Sequence, residues 1–228
     1  MEISSENRKV GFLHTTPATI GMADRFMGTY VPGVDPVHIY DGRVKIDNFR
    51  SPVGRTPEVN LLRWANFAEQ LALAGCELIV SCCSLMPRAT AYAASAVSVP
   101  FIQLDSVILD QAVARYRRIG VLTTTEYTNP YVVEGLEARA AGAGKKIELV
   151  FGGDPTALTL FNAGDYEKHN AIVLKNIDEL SDKGVDCVLM GQIPFALMDE
   201  TLRNRAGNVP VLYAGADAFR HVKDLLPS

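Results

Sequence analysis

Apolar positions along this chain fall into two kinds of pattern, short unbroken runs and longer stretches in which they recur every three or four residues. The first run lies in Arg8-Lys9-Val10-Gly11-Phe12-Leu13-His14-Thr15-Thr16, charged on one flank and hydroxylic on the other. The same pattern returns 109 positions later in Arg117-Arg118-Ile119-Gly120-Val121-Leu122-Thr123-Thr124-Thr125. At that offset Gly75-Cys76-Glu77-Leu78-Ile79-Val80-Ser81-Cys82-Cys83 falls on Gly184-Val185-Asp186-Cys187-Val188-Leu189-Met190-Gly191-Gln192, glycine on glycine and acid on acid. Val99-Pro100-Phe101-Ile102 matches Val209-Pro210-Val211-Leu212 with a slip of one residue, and Val37-His38-Ile39-Tyr40 matches Ile147-Glu148-Leu149-Val150 with the same slip. Short apolar runs bounded by polar residues predict buried strands.

Helical spacing appears between these runs, in Leu61, Leu62, Ala65, Ala68 and Leu71 of the first copy and Val173, Ile177 and Leu180 of the second. Each copy therefore reads as β-α-β-α-β-α, which implies a parallel sheet with helices on both faces and right-handed crossovers. The expected architecture is α/β, with two doubly wound halves related by pseudo-twofold symmetry. Residues 1–105 plus 212–228 form the first half and 106–211 the second. The join falls near Leu104 and Asp105, before a helix over Ser106 to Tyr116, and the final strand and helix, Val211 to Leu226, are expected to return to the first half. The glycine- and proline-rich stretch Pro17 to Gly54 reads as loop beyond a short helix and strand, a candidate lid.

The charge pattern narrows the partners. A net charge of −4, with both signs interspersed, gives no electrostatic footprint for nucleic acid or an anionic membrane. Met1 to Val10 are polar rather than a basic segment followed by an apolar one, and no apolar stretch reaches the ~18 residues of a span; the expected compartment is the cytoplasm. The four cysteines, at 76, 82, 83 and 187, form neither a disulfide framework nor a CxxC pair, and no histidine stands at metal-ligand spacing. Reduced thiols and no metal site are expected. GxSxG, phosphate-loop and GxGxxG motifs are absent, which argues against esterases, nucleotide hydrolases and dinucleotide enzymes.

Open parallel sheets bind ligands beyond the carboxyl ends of their strands, where helix N-termini present exposed N–H groups. The residues at those ends are His14, Thr15 and Thr16; Cys82, Cys83 and Ser84; Thr123, Thr124 and Thr125; and Gln192 and Ile193. If the halves face one another about a twofold axis, Cys83 and Gln192 become symmetry mates on opposite walls of one cleft, among hydroxyls suited to a carboxylate.

These landmarks resemble the aspartate/glutamate racemase superfamily over nearly the whole chain. They are the Val-Gly-x-Leu strand followed by threonine, Gly-x-Glu-x-Ile-Val-x-x-Cys ending at Cys83, and Asp186-x-x-x-x-Gly191 followed by Gln192 where the family carries its second cysteine. The resemblance implies two flavodoxin-like domains with the active site between them, and a reaction needing neither pyridoxal phosphate nor metal. It also implies a thiol from each half, one removing and one returning the α-proton of a carboxylate. Here only Cys83 meets that pattern, because Gln192 cannot exchange a proton with carbon. Family relatives include single-cysteine arylmalonate decarboxylases and isomerases that add a cysteine to a double bond, as in maleate isomerases.

The expected function is thus a cofactor-independent isomerase or lyase acting at the α-carbon of a small carboxylic acid. Cys83 is the thiolate, Gln192 polarises the substrate, and His14, Thr15, Thr16, Ser84, Thr124, Thr125, Tyr131 and Ile193 line the site. A helix beginning at Ser84 would favour the thiolate over a thiol of ordinary pKa ~8.5. The blander readings are a buried packing role for Cys83, a helix-capping role for Gln192 and a structural role for His14, with strand and cap roles for the threonines. Cys76, Cys82 and Cys187 are assigned to packing. A different class of function, a carboxylate-binding protein without chemistry, remains open, as do a racemase using His14 as second base and a homo-oligomeric assembly.

Overall fold

A computed structural model describes residues 7–226. The expected first half also took in 1–6 and 227–228, which lie outside the described residues. The element order is β1 (Arg8–His14), α1 (Ala18–Tyr30), β2 (Val34–Tyr40), α2 (Gly42–Arg50), α3 (Glu58–Leu73), β3 (Cys76–Ser81), α4 (Pro87–Ala94) and β4 (Phe101–Gln103). It continues with α5 (Ser106–Arg115), β5 (Arg118–Leu122), α6 (Asn129–Gly142), β6 (Glu148–Gly152), α7 (Pro155–Asn162), α8 (Tyr166–Asp182) and β7 (Cys187–Met190). A 3-10 helix Ile193–Met198, α9 (Asp199–Arg203), β8 (Val211–Leu212) and α10 (Ala216–Leu225) complete the chain. The strands form two parallel four-stranded sheets of the same order, β2-β1-β3-β4 and β6-β5-β7-β8.

The chain divides into two compact units. One runs through Leu104 and resumes at Gly215; the other spans Asp105–Ala214. Val211 and Leu212 pair with Val188 and Leu189 in the second sheet, so Leu212, expected in the first half, belongs to the second, and only α10 packs with the first. Phe219 of α10 stacks on Phe26 of α1 with ring centroids 4.9 Å apart and lies 6.3 Å from Phe12 of β1.

Alternation along the strands builds both layers. In the second unit Ile119, Val121, Cys187 and Leu189 pack against Ile108 and Ala112 of α5 and Val132 and Leu136 of α6. Leu122, Val188 and Met190 point the other way, onto Val173, Ile177 and Leu180 of α8. In the first unit Phe12, His14 and His38 stack on one face. Gly11 faces Leu71 of α3 so closely that a Cβ there would lie 2.7 Å from the Leu71 Cδ1.

The repeat seen in sequence has structural reasons. Gly75 and Gly184 end α3 and α8 in the left-handed region, φ +82° and +73°, where a side chain is disfavoured. The matching acids tie strand starts together. Glu77 pairs with Arg8 at 2.7 Å, and Asp186 accepts the backbone N–H groups of Arg117 and Arg118 at 3.0 and 2.8 Å, which hold its carboxyl below the usual range.

The stretch Pro17 to Gly54 departs from its expected loop. It is α1, β2 and α2 in close succession. Asp41 caps α2 by accepting the Arg43 N–H at 2.7 Å. Buried Asn60 of α3 donates to the Val44 carbonyl at 2.9 Å and to Asn48 Oδ1 at 3.2 Å. Glycines 21 and 28 sit inside α1 with no atom near enough to require them, so their count overstated the loop. Among the described residues no helix is long and apolar enough to cross a membrane.

Candidate active site

In the first unit, β1 and β3 end side by side, the ladder continuing as Cys82 N–H donates to the Leu13 carbonyl at 2.8 Å. This places Thr15 beside Cys83, and the threonine hydroxyl donates to Cys83 Sγ at 2.8 Å. Both are buried, Cys83 being 6% and Thr15 5% exposed. A donor aimed at sulfur stabilises negative charge there. The backbone turns at once, with Met86 N–H donating to the Cys83 carbonyl at 3.0 Å, and α4 begins only at Pro87. The expected helix start at Ser84 is therefore displaced by three residues, because Leu85 and Met86 are spent in the turn. Ser84 is buried in that turn.

Gln103 also reaches this turn. Its Nε2 donates to the Cys83 carbonyl at 2.7 Å. Sequence reasoning missed it, although Gln103 ends β4 and so satisfies the same strand-end rule that selected the other candidates.

His14 lies behind the turn and is 0% exposed. Its Nδ1 is 2.8 Å from Thr19 Oγ1, and its Nε2 is 2.9 Å from His38 Nδ1. Thr19 spends its one hydroxyl hydrogen on the Thr16 carbonyl at 2.9 Å, so it accepts from His14 Nδ1–H, and Nε2 is the acceptor. His38 Nε2 continues the string to Asp24 Oδ1 at 3.0 Å. Burial first, and His38 second, push the His14 pKa down to about 3. With both ring nitrogens engaged and no exposed surface, His14 supports the Thr15–Thr16 turn from within. Thr16, half-buried, contributes its carbonyl to the same support.

The second unit repeats the arrangement with different chemistry. Gly191 N–H donates to the Leu122 carbonyl at 2.9 Å, which brings the end of β7 beside that of β5. Thr124 donates to Gln192 Oε1 twice, from its backbone N–H at 2.6 Å and from its hydroxyl at 2.9 Å. Thr15 to Cys83 and Thr124 to Gln192 are thus one contact made at equivalent positions of the repeat. Gln192 precedes the 3-10 helix but makes no side-chain capping bond, so the capping reading does not apply. With the oxygen held by two donors, the amide turns its NH2 away from Thr124. The acceptor role expected for it alongside the donor role is taken by Thr124.

Thr123 donates its hydroxyl to Asn129 Oδ1 at 2.6 Å, and Thr125 Oγ1 accepts from Tyr127 N–H at 3.4 Å. Tyr131 is buried in α6, and Ile193 is 0% exposed. Cys76, Cys82 and Cys187 are buried; burial raises the pKa of Cys76 and pushes that of Cys187 up to about 12. Among the described residues no group of three or more His, Cys, Asp or Glu could hold a metal ion.

Two parallel sheets of one strand order, each gathering its polar residues at the ends of its first and third strands, define a duplicated α/β enzyme fold. The model of the Asp/Glu/hydantoin racemase family matches residues 47–221, and the chain belongs to that family, whose racemases are isomerases. No curated protein matches it in sequence. Among solved structures, it is similar to glutamate racemase from Francisella tularensis in complex with D-glutamate, at 15% identity over 98% of this chain and 85% of that one, with a TM-score of 0.69. Aspartate racemase from Picrophilus torridus is 14% identical over 95% of this chain and 94% of that one, TM-score 0.69. Allantoin racemase from Klebsiella pneumoniae is 15% identical over 96% and 87%, TM-score 0.62. At these identities the likeness is one of fold.

Proposed function

We propose that the chain is a cofactor-independent isomerase or lyase that works at the α-carbon of a small carboxylic acid with one thiol, Cys83. The observation that carries this reading is the pair of equivalent contacts. A hydroxyl donates to sulfur in one unit and to an amide oxygen in the other, so the repeat supplies one group able to exchange a proton with carbon and one able only to donate a hydrogen bond. D-glutamate in the Francisella relative supports a small carboxylate as the substrate class.

In this scheme Cys83 acts at the α-carbon, and Gln192 NH2 is the donor for a carboxylate oxygen. Thr15 and Ser84 stand by the thiol in the first unit, and Thr124 and Thr125 by the amide in the second. When the thiolate removes the α-proton, the C–H electron pair moves onto the carboxylate, which becomes an enediolate stabilised by the amide donor. Returned by the same thiol, the proton goes back to the face it left and the configuration is retained. Net isomerisation therefore takes an unsaturated diacid, in which the Cys83 thiolate adds to the double bond, the C=C electron pair moves onto the carboxylate, the new single bond rotates, and the thiolate leaves as the double bond re-forms. For a substituted malonate, the breaking C–C bond releases carbon dioxide and leaves the same enediolate, which the Cys83 thiol protonates on one face.

A panel of amino acids, substituted malonates and unsaturated diacids, assayed for change of rotation, release of carbon dioxide or change of absorbance, tests the class. Cys83→Ala is expected to abolish turnover, and turnover in deuterium oxide to label the α-carbon with one handedness. Equal label in both enantiomers contradicts the one-thiol scheme. Carboxylate binding without turnover across the panel, with Cys83 no more reactive toward iodoacetamide than a model thiol, establishes a binding protein instead.

A further inference from the structure

A second hydrogen-bonded string reaches Cys83 from the opposite side to Thr15. It begins at Trp64 of α3, fully buried, whose Nε1–H donates to Thr90 Oγ1 of α4 at 3.2 Å. Thr90 donates its own hydroxyl hydrogen to Gln103 Oε1 at 2.9 Å. Gln103 then donates from Nε2 to the Cys83 carbonyl at 2.7 Å. Its direction is determinate. An indole N–H can only donate, a hydroxyl that accepts from it has one hydrogen to pass on, and an amide whose oxygen is thereby taken must present its NH2 to the carbonyl. Every member is satisfied in one orientation, the condition under which a buried polar string rigidifies its surroundings.

The duplicated unit separates this string from what the fold itself requires. The turns after β7 and β3 open with the same backbone hydrogen bond. Phe195 N–H donates to the Gln192 carbonyl at 3.2 Å where Met86 N–H donates to that of Cys83 at 3.0 Å. The string has no counterpart there. Val173 stands at the repeat position of Trp64, Asp199 at that of Thr90 and, with the one-residue slip, Tyr213 at that of Gln103. Tyr213 donates its hydroxyl to Asp199 Oδ1 at 2.7 Å, and among the described residues the Gln192 carbonyl receives no side-chain donor. The turn forms without the brace, and the brace accompanies the thiol.

We propose that Gln103 is a positioning residue for Cys83, itself held in place by Thr90 and Trp64; this rests on the reading of Cys83 as the reacting thiol. With two donors on its oxygen, the Cys83 carbonyl fixes the rigid peptide plane between Cys83 and Ser84. Fixing that plane fixes the direction of the Cys83 Cα–Cβ bond and keeps the sulfur at the Thr15 hydroxyl. Without the brace the peptide can rotate, and the sulfur spends less time against its donor.

The test is the rate at which iodoacetamide alkylates Cys83 in the full chain at neutral pH, with the modified residue located by peptide mass and fragmentation. Wild type and Thr90→Ser, which keeps the hydroxyl, are expected to agree within about twofold. Thr90→Val and Gln103→Met are expected to be slower by roughly tenfold, the effect of losing about one hydrogen bond, while their circular dichroism matches wild type. Folded Thr90→Val and Gln103→Met proteins with the wild-type rate overturn the proposal and leave the string a purely structural device. If Thr90→Val does not fold, Gln103→Met, at a half-buried position, decides by the same criterion. A wild-type Cys83 no faster than a model thiol removes the thiol reading itself, and this inference with it.

Discussion

The hydroxyl of Thr15 donates to the sulfur of Cys83 across 2.8 Å, joining the carboxyl ends of two adjacent parallel strands through a side chain rather than the ladder. The repeat makes the same junction with Thr124 and Gln192, so the contact belongs to the architecture while the acceptor atom decides its chemistry. A hydroxyl facing sulfur favours charge there; facing an amide oxygen, it orients a donor.

Removing the hydroxyl from the first junction isolates its effect. Thr15→Val, close in shape, is expected to slow alkylation of Cys83 by about tenfold at neutral pH, the magnitude of one hydrogen bond to a charged acceptor, ~1.5 kcal/mol. Thr15→Ser is expected to keep most of the rate. Comparable rates for the valine and wild-type proteins would show that the hydroxyl does nothing for the sulfur.

Gln192→Glu separates ligand binding from folding. A carboxylate oxygen still accepts from both Thr124 donors, so the melting temperature is expected to stay within about 2 °C of wild type. The remaining oxygen now repels a carboxylate where the NH2 attracted one. Affinity for the substrate found by the panel is expected to fall by about a hundredfold, ~2.7 kcal/mol. Calorimetric titration checks it, and unchanged affinity sinks the donor role.

His14 makes stability depend on pH. Its folded pKa, about 3, lies below the ordinary 6.5, so between those values the unfolded chain takes up a proton that the folded one refuses. The stabilisation is therefore complete above pH 6.5 and is lost as pH falls toward 3, with a slope of at most ~1.4 kcal/mol per pH unit. Urea unfolding between pH 7.5 and 5, above the range where the carboxylates titrate, is expected to show this slope. His14→Gln is expected to flatten it, and an unaltered slope in that variant assigns the effect to another group.

Gly153→Ala tests the backbone behind Thr124. Gly153 has φ +134°, and a Cβ there would lie 1.7 Å from the Thr123 carbonyl oxygen, a backbone atom that cannot rotate aside. The substitution is expected to cost roughly 3 kcal/mol in urea unfolding. A loss below ~1 kcal/mol means that the β5 and β6 ends tolerate displacement.

Much of this protein is legible in its sequence because it is local. Strands and helices follow from spacing that each segment carries alone, and the halves could be aligned because each copy repeats its punctuation. Gly75 and Gly184 end helices in a backbone conformation that disfavours side chains, and Glu77 and Asp186 pin the starts of the strands that follow. The strand-end rule selected Thr15, Cys83, Thr124 and Gln192 without any knowledge of their partners. It overstated loop in Pro17 to Gly54, where glycine count outweighed the buried Asn60 and Asn48 that hold α2 to α3.

What only the tertiary structure decided is the direction of each polar group. Which way the Gln192 amide points depends on Thr124, 68 residues away, and whether His14 can meet a ligand depends on Thr19 and His38. That Gln103 braces the thiol depends on Thr90 and, through it, Trp64. Sequence by itself determined where the chemical groups stand, since periodicity and turn chemistry act between near neighbours. It left open which hydrogen bond each donates or accepts, because a donor or acceptor is used up only by the partner that folding brings to it.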